Sequence, residues 1–361
     1  MSEAMYLKLA KVLDTLPNGF PTTESGVEIK ILKKIFRPED TDLFCDLKLS
    51  FETAEQIAKR TGRSIDGLED HLIEMWRRGQ LFGADIGGIM VFKMVPWAFG
   101  IYEFQIPHLD REMAEMCDEY MKIWSDQFFR IKPQLMQVVP VEKEIQGKQT
   151  ALPYEQVSNI IENSQSLAVY DCICKKEKHL LDNGCDKPLE ICTGYAPIPG
   201  VFDESPIYRA ISKEEAYAVL NKAEEAGLVH LTWNMESGHF YICNCCGCCC
   251  HVLTSINDLG INASTVINSN YYAEINSDSC IVCNTCVDER CQVVAIEEGD
   301  DANHIIRDKC IGCGLCISTC PTDSIKLIRK APDEIITPPK DEMEWFKKRA
   351  SEVGVDISKY T

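Results

Sequence analysis

The sequence contains none of the short motifs that bind nucleotides or carry out hydrolysis. It has no G-x-G-x-x-G fingerprint, no phosphate-binding loop and no Ser–His–Asp signature. These absences predict that the chain has no nucleotide site, and they leave no residue to name as catalytic. Any chemistry must then come from a group that other side chains hold.

The chain also lacks a long uninterrupted apolar run. Its most apolar stretch, residues 86–104, is broken by Lys93, Pro96 and Glu103, which is too interrupted for a membrane span. The first sixteen residues carry an early acid and no continuous apolar core, unlike a secretory signal. We therefore expect no membrane span and a cytoplasmic location.

Basic residues are scarce in comparison with acidic ones. The chain has 37 Lys and Arg against 56 Asp and Glu, a formal net charge of −19. Such a chain is repelled by nucleic-acid phosphates and by anionic membrane surfaces, and it is attracted to basic patches on proteins. We expect protein partners and no nucleic acid, although acidity can also serve solubility alone.

Cysteine, in contrast, is abundant. Twenty cysteines occur, and all but Cys45 and Cys117 fall into dense groups. Disulfide frameworks belong to short secreted chains. In a chain of 361 residues that we expect to be cytoplasmic, the cysteines are therefore predicted to be reduced and to hold metal.

The densest regular pattern lies between Cys280 and Cys320. Two runs of C-x-x-C-x-x-C, each with a later fourth cysteine, repeat at a spacing of thirty residues. Four thiolates are what a cubane [4Fe–4S] cluster needs. Zinc is the alternative, but it usually takes its cysteines as two separated pairs.

Residues 272–330 resemble the two-cluster bacterial-type ferredoxins, in which the fourth cysteine of each run ligates the other cluster. The second run matches fully, ending in Cys320-Pro321; in the first run four residues separate Cys286 from Cys291, and Gln292 stands where proline is usual. The resemblance implies two [4Fe–4S] clusters, one held by Cys280, Cys283, Cys286 and Cys320, and the other by Cys291, Cys310, Cys313 and Cys316.

The middle of the chain carries ten more cysteines in two groups. The first group, Cys172, Cys174, Cys185 and Cys192, is sufficient for one cubane, and the second contains another C-x-x-C-x-x-C pattern, Cys243, Cys246 and Cys249, which needs a fourth ligand from Cys250 or from the first group. These eight are the expected ligands of one or two further [4Fe–4S] clusters. Zinc is an alternative, as is the non-cubane cluster of heterodisulfide-reductase-type proteins, which the triplet Cys245-Cys246-Gly247 resembles in part. His251 could also ligate, although a packing or capping role is more usual.

The whole chain resembles a widespread group of iron–sulfur proteins from anaerobes. The shared motifs are C-x-C…G-C-x-x-P-x-E-x-C (here Cys172 to Cys192), I-C-N-C-C-G-C-C-C (Ile242 to Cys250) and the two-cluster ferredoxin end. This resemblance implies electron transfer and no defined substrate.

The first hundred residues resemble a winged helix, because helical patterns precede a hairpin signal. The helix that would read DNA, within residues 65–80, carries Asp66, Glu69, Asp70 and Glu74, where a recognition helix presents basic or amide side chains. We therefore favour protein docking over DNA binding for this region.

The fold class expected is α+β with several domains. These are a winged-helix-like docking domain (1–105), a helix and linker (106–150), a cysteine-rich α/β domain (151–270), a dicluster ferredoxin-like domain (271–330), and a tail with a short helix (331–361). We expect Trp345 and Phe346 on that helix to fold back onto the body, the alternative being an exposed partner anchor.

Taken together, the patterns predict an electron-transfer subunit of a larger anaerobic oxidoreductase complex, with catalytic subunits of that complex as redox partners. Two alternatives remain: a redox-sensing winged-helix regulator, and a reductase whose active cluster lies in the middle domain.

Overall fold

The N-terminal region consists of helices followed by a hairpin. The computed structural model describes residues 2–145, 151–152 and 155–361. The elements are α1 (Ser2–Asp14), α2 (Val27–Ile35), α3 (Pro38–Cys45), α4 (Ala54–Thr61), α5 (Leu68–Arg77), β1 (Phe82–Asp85) and β2 (Met90–Lys93). Strands β1 and β2 pair antiparallel. Helices followed by a hairpin are the order expected from the sequence, although α3 is an additional helix that the sequence patterns did not predict. The winged-helix assignment itself stays a prediction.

Local sequence explains where these helices begin and end. At α4, the hydroxyl of Thr53 accepts from the backbone N–H of Gln56 while the Gln56 side chain accepts from the backbone N–H of Thr53, a capping box. Gly62 then ends the helix in the left-handed conformation (φ 74°).

The centre of the molecule is a seven-stranded sheet with helices around it. Its region contains α6 (Arg111–Phe128), β3 (Met136–Val138), α7 (Val157–Glu162), β4 (Ser166–Asp171), α8 (Ile173–Leu180), β5 (Glu190–Ala196), β6 (Arg209–Ala210), α9 (Lys213–Glu225), β7 (Val229–Trp233), β8 (Tyr241–Cys245), α10 (His251–Asn257), α11 (Ala263–Val266) and β9 (Ile267–Asn268). The strand order is β6-β4-β5-β8-β7-β3-β9.

The segment expected to be a helix and a linker contributes a strand to this sheet. Strand β3 pairs antiparallel with β7 and parallel with β9. The end of the expected linker (146–150) and the start of the helix expected at Tyr154 lie outside the described residues.

The cysteine-rich C-terminal region is built on two small antiparallel pairs. Strands β10 (Tyr271–Ile275) and β13 (Ile325–Arg329) pair with each other, and β11 (Ile296–Glu297) pairs with β12 (His304–Ile305). The last helix is α12 (Glu342–Val353), and single turns of 3₁₀ or π type occur at Glu103–Gln105, Glu142–Glu144, Cys286–Arg290 and Ser358–Tyr360.

The C-terminal helix packs onto the body, as expected from its aromatic residues. Trp345 and Phe346 are buried against Trp233, with ring centroids 5.4 and 5.7 Å away, and Trp345 Nε1 donates to the carbonyl of Gln134 (2.9 Å). Trp345 and Phe346 belong to one large cluster of buried apolar residues, whose members range in sequence from Tyr6 to Tyr360. The N-terminal helices, the sheet and α12 thus share a core. None of the helices in the part of the chain described here is long and apolar enough to cross a bilayer.

Candidate metal centres

The two cysteine loops of the C-terminal region have the same backbone conformation. The second and fourth residues after the first cysteine are left-handed in both loops: Val282 (φ 52°) and Asn284 (60°) in one, Gly312 (63°) and Gly314 (82°) in the other. These residues turn each loop back on itself and let three thiols converge. The internal repeat of the sequence is therefore a repeat of structure.

Gly312 is required at its position for a second reason. A Cβ atom there would lie 2.2 Å from the carbonyl oxygen of Tyr271 on β10. The second loop thus packs directly against the strand, and no side chain fits between them.

Cys280, Cys283, Cys286 and Cys320 line one small cavity, which we call the first ferredoxin site. Asn303 Nδ2 donates to Cys286 Sγ (3.5 Å), and Ser324 Oγ lies 3.1 Å from Cys320 Sγ. Burial raises the pKa of the Cys320 thiol, but hydrogen bonds from Ser324 and Thr322 outweigh it, so the net pKa is lowered. The thiolate, which is the form that binds iron, is favoured.

Cys291 meets Cys310, Cys313 and Cys316 in a second group, the second ferredoxin site. Backbone N–H groups donate to two of the sulfurs, Ala295 to Cys291 (3.1 Å) and Ala273 to Cys310 (3.3 Å). Such bonds stabilise thiolate ligands and raise the potential of a cluster. The structure therefore brings together both sets of four that the ferredoxin resemblance implies.

In the middle region, four thiols converge at the turn after β8. The sulfurs of Cys185, Cys246, Cys248 and Cys249 all lie within 4.8 Å of one another, and we call them the four-thiol site. Three of the Sγ–Sγ distances are 3.8, 3.7 and 3.7 Å. Four sulfurs at about 2.3 Å from one tetrahedral ion would lie about 3.8 Å apart. The donor set fits a single ion at this spacing, and it fits a cubane if the thiols move outward.

The other six thiols of the middle region form a closed ring. The thiol of each lies close enough to two others for their pKa values to shift one another, and all six line one cavity. In order around this six-thiol ring they are Cys172, Cys174, Cys250, Cys245, Cys243 and Cys192.

Strand and helix geometry explains the ring. Cys243 and Cys245 are two residues apart on β8 and therefore point to the same face. The register between β5 and β8 pairs Thr193 with Ile242, which sets Cys192 beside Cys243. Cys172 and Cys250 occupy the N-cap positions of α8 and α10.

This grouping differs from the one expected from the sequence. Cys185 leaves the first group of four and joins the turn residues, while Cys250 joins the ring. Cys245 and Cys248 were not among the expected ligands. The alternation Cys243-x-Cys245 in a strand was the signal for Cys245; nothing comparable marks Cys248, because its role depends on the shape of the turn.

Lys175 is a buried cation between the ring and the four-thiol site. Its side chain is 0% exposed, and its Nζ donates to the carbonyl of Asn244 (3.0 Å). Burial lowers the pKa of Lys175. The thiolates of both groups raise it, first Cys172 and Cys192 and then Cys246, and their effect is larger than that of burial, so the net pKa is raised. The ammonium thus compensates buried negative charge.

His251 is held by groups other than the thiols. Its Nε2 lies 3.0 Å from Glu177 Oε1 and 3.2 Å from the hydroxyl of Tyr102. These contacts fit the packing role and fix the start of α10.

The first cysteine run departs from the ferredoxin pattern at the residues that join the ferredoxin sites to the middle region. The Arg290 guanidinium donates to the carbonyls of Glu224 (2.8 Å) and Glu225 (3.1 Å) at the end of α9. Gln292 Oε1 accepts from the N–H of Gly247 (2.9 Å). A Cβ atom on Gly247 would lie 2.2 Å from the carbonyl oxygen of Gln292, so the two backbones are in close contact. Gln292 follows ligand Cys291, and Gly247 lies within the four-thiol turn.

The four thiol groups therefore follow one another through the molecule. The first ferredoxin site neighbours the second, the second abuts the four-thiol site through Gln292 and Gly247, and the adjacent residues Cys245 and Cys246 join that site to the six-thiol ring.

Comparisons with known proteins find one family match, in the C-terminal part of the chain, and similar ferredoxins. Residues 273–327 match the 4Fe–4S dicluster domain family. The chain is 34% identical over 93 residues to an uncharacterised ferredoxin of Methanocaldococcus jannaschii, covering 25% of this chain and 52% of that protein. It is 38% identical over 64 residues to a 7Fe ferredoxin of Hydrogenibacillus schlegelii, covering 18% of this chain and 81% of that protein.

The chain thus spans about half the length of the M. jannaschii ferredoxin. No solved structure matches the chain. The family match favours iron–sulfur clusters over zinc at the C-terminal end and supports a role in electron transfer. Through its 4Fe–4S dicluster domain, the chain belongs to the ferredoxins.

Proposed function

We propose that the chain passes single low-potential electrons along a row of metal centres, as a cytoplasmic subunit of a larger anaerobic oxidoreductase complex. The observation that carries this proposal is the contact between Gln292 and Gly247, which joins the ferredoxin sites to the middle thiols. Bound iron–sulfur clusters would supply the one-electron chemistry, and the protein supplies ligation, burial and spacing.

Exposure suggests where a partner docks. Cys283 of the first ferredoxin site is exposed, and the neighbouring Ile281 is 62% exposed, whereas most thiols of the six-thiol ring are buried. The turn between β11 and β12 beside this end presents exposed Glu297, Glu298 and Asp300. A redox partner with a basic rim and an apolar centre fits this surface.

The row requires a redox-active metal at each step, because zinc carries no electrons. Anaerobically purified chain should contain iron and sulfide well above the eight irons that two cubanes provide. An iron content near eight, or zinc in the middle region, would break the row and limit electron transfer to the ferredoxin end.

A second function is favoured by one observation. The six-thiol ring lines an apolar cavity of about 270 Å³, an environment that electron relay alone does not need. This supports the reductase alternative, in which the middle centre acts on a substrate. Phe82, Ala84 and Ile86 of the β1–β2 hairpin line the same cavity. Because the hairpin is then part of the cavity wall and not a free wing, this argues against the regulator alternative.

A further inference from the structure

The cavity beside the six-thiol ring extends from the thiols to the surface. Among its lining residues, Phe51, Ile86 and Phe240 are 43%, 39% and 37% exposed and mark the mouth, while ring thiols such as Cys172 and Cys245 are buried. A cluster held by the ring would fill only the thiol end, because the lining continues to these surface residues. The remaining space connects a metal centre with solvent.

The walls of the cavity are mostly aromatic. Phe99 stacks on Tyr241 with ring centroids 5.5 Å apart and an interplanar angle of 4°, and Tyr208 packs edge-on against Tyr170 (4.9 Å) and Phe202 (5.1 Å). Aromatic faces and edges arranged in this way bind flat apolar molecules by stacking and by displacement of water.

The few charged groups around the cavity are neutralised. At the mouth, the Lys93 ammonium pairs with the carboxylate of Glu342 (2.8 Å) between the rings of Phe51 and Phe240. Inside, Glu103 accepts from the N–H of Gly100 (2.7 Å), and burial raises the pKa of Glu103 to about 8. At neutral pH this carboxyl is mainly protonated and offers one O–H donor.

We propose that the cavity is a binding site for an uncharged aromatic or alicyclic small molecule with one hydrogen-bond acceptor, which lies between the aromatic walls and accepts from Glu103. An apolar cavity of about 150 Å³ admits benzene, so this cavity has room for a substituted ring beside the thiol end. The use of that molecule as an electron acceptor or donor rests on the proposed function; its binding does not.

The test uses the full chain, anaerobically purified with its metal, and the neutral fluorophore N-phenyl-1-naphthylamine. We expect saturable one-to-one binding, detected by fluorescence, and a change in the electron paramagnetic resonance spectrum of the reduced protein at saturation. Ala84→Phe, which adds a ring to a buried lining position, should weaken binding at least tenfold. Ile89→Phe is the matched control, because Ile89 lies on the same hairpin but is 57% exposed and outside the lining.

If Ala84→Phe does not fold, Ile86→Lys, which puts a charge at the mouth, takes its place with the same expected loss. Absence of saturable binding, or equal binding by the lining variant and the Ile89→Phe control, overturns the proposal. Failure of the proposed function would instead appear in the metal analysis, as protein with about eight irons or fewer.

Discussion

At the scale of single residues, the two ferredoxin loops adopt the same left-handed backbone conformation with different side chains. The left-handed positions hold glycine in the second loop but Val282 and Asn284 in the first. A β-branched residue is strained at positive φ, by roughly 1–3 kcal/mol. The loops are therefore unequal in local stability although the first three cysteines of each have the same spacing.

Gly312→Ala should cost the second ferredoxin site its cluster, because the new Cβ would collide with the Tyr271 carbonyl, 2.2 Å away. Iron content should fall by about four per chain. Val282→Gly is the counterpart in the first loop, where we expect full iron and slower cluster loss to a chelator. Equal iron in Gly312→Ala and the unaltered protein would contradict this account of the loop.

Glu103 should make the stability of the protein depend on pH. Its pKa is raised from 4.5 to about 8 on folding, chiefly by burial. The contribution of the protonated carboxyl to the free energy of unfolding is therefore fully present below pH 4.5 and is lost as the pH rises through 8. Glu103→Gln removes this titration and can still accept from Gly100. Relative to the unaltered protein, the free energy of unfolding of the variant should rise by about 4 kcal/mol between pH 5 and pH 8.5, measured by denaturant unfolding. A pH-independent difference would show that Glu103 does not titrate in this range.

At the scale of elements, ligand grouping in the middle region follows strand alternation and turn shape. The order of helices and hairpin, the paired loops of the ferredoxin end and the packing of α12 could all be predicted from local patterns. The division of the ten middle thiols could not, because it depends on which strands are neighbours: β5 lies beside β8, and this pairing takes Cys192 to Cys243. Cys185 reaches the turn after β8 from a loop sixty residues earlier.

The turn after β8 offers a direct test of the four-thiol site. Cys248→Ser removes one of its four sulfurs and should lower the iron content by up to four per chain if a cubane is bound, or by one if a single iron is bound. Cys45→Ser is the control, since Cys45 lies alone in the N-terminal region and burial raises its pKa to about 11. Loss of zinc in place of iron would show that this site does not carry electrons.

At the scale of the whole molecule, the ferredoxin end is joined firmly to the rest. Gln292, which stands where the ferredoxin pattern has proline, contacts the turn after β8, and Arg290, one of the four residues between Cys286 and Cys291, contacts the end of α9. A ferredoxin that exchanged electrons freely in solution would not need them. Such departures are visible in the sequence, but their purpose depends on a surface that the sequence alone does not reveal.

Gln292→Ala should loosen this junction without loss of metal. Removal of one hydrogen bond costs about 1 kcal/mol, so hydrogen exchange of residues 246–250 should rise about fivefold. Electron transfer between the ferredoxin and middle centres should slow in the same variant. Glu289→Gln, at the exposed neighbouring position, is the control and should change neither rate. Unchanged exchange in Gln292→Ala would mean that this contact does not hold the two parts together.

The single ammonium of Lys175 serves two groups of sulfur at once, since thiolates of the six-thiol ring and of the four-thiol site both raise its pKa. Negative charge added at one group repels negative charge added at the other, because the adjacent residues Cys245 and Cys246 join the two groups and one ammonium cannot neutralise both. Reduction of the two centres should for this reason be anticooperative. A second electron would enter at a lower potential than the first, which favours moving the first one onward before the next arrives.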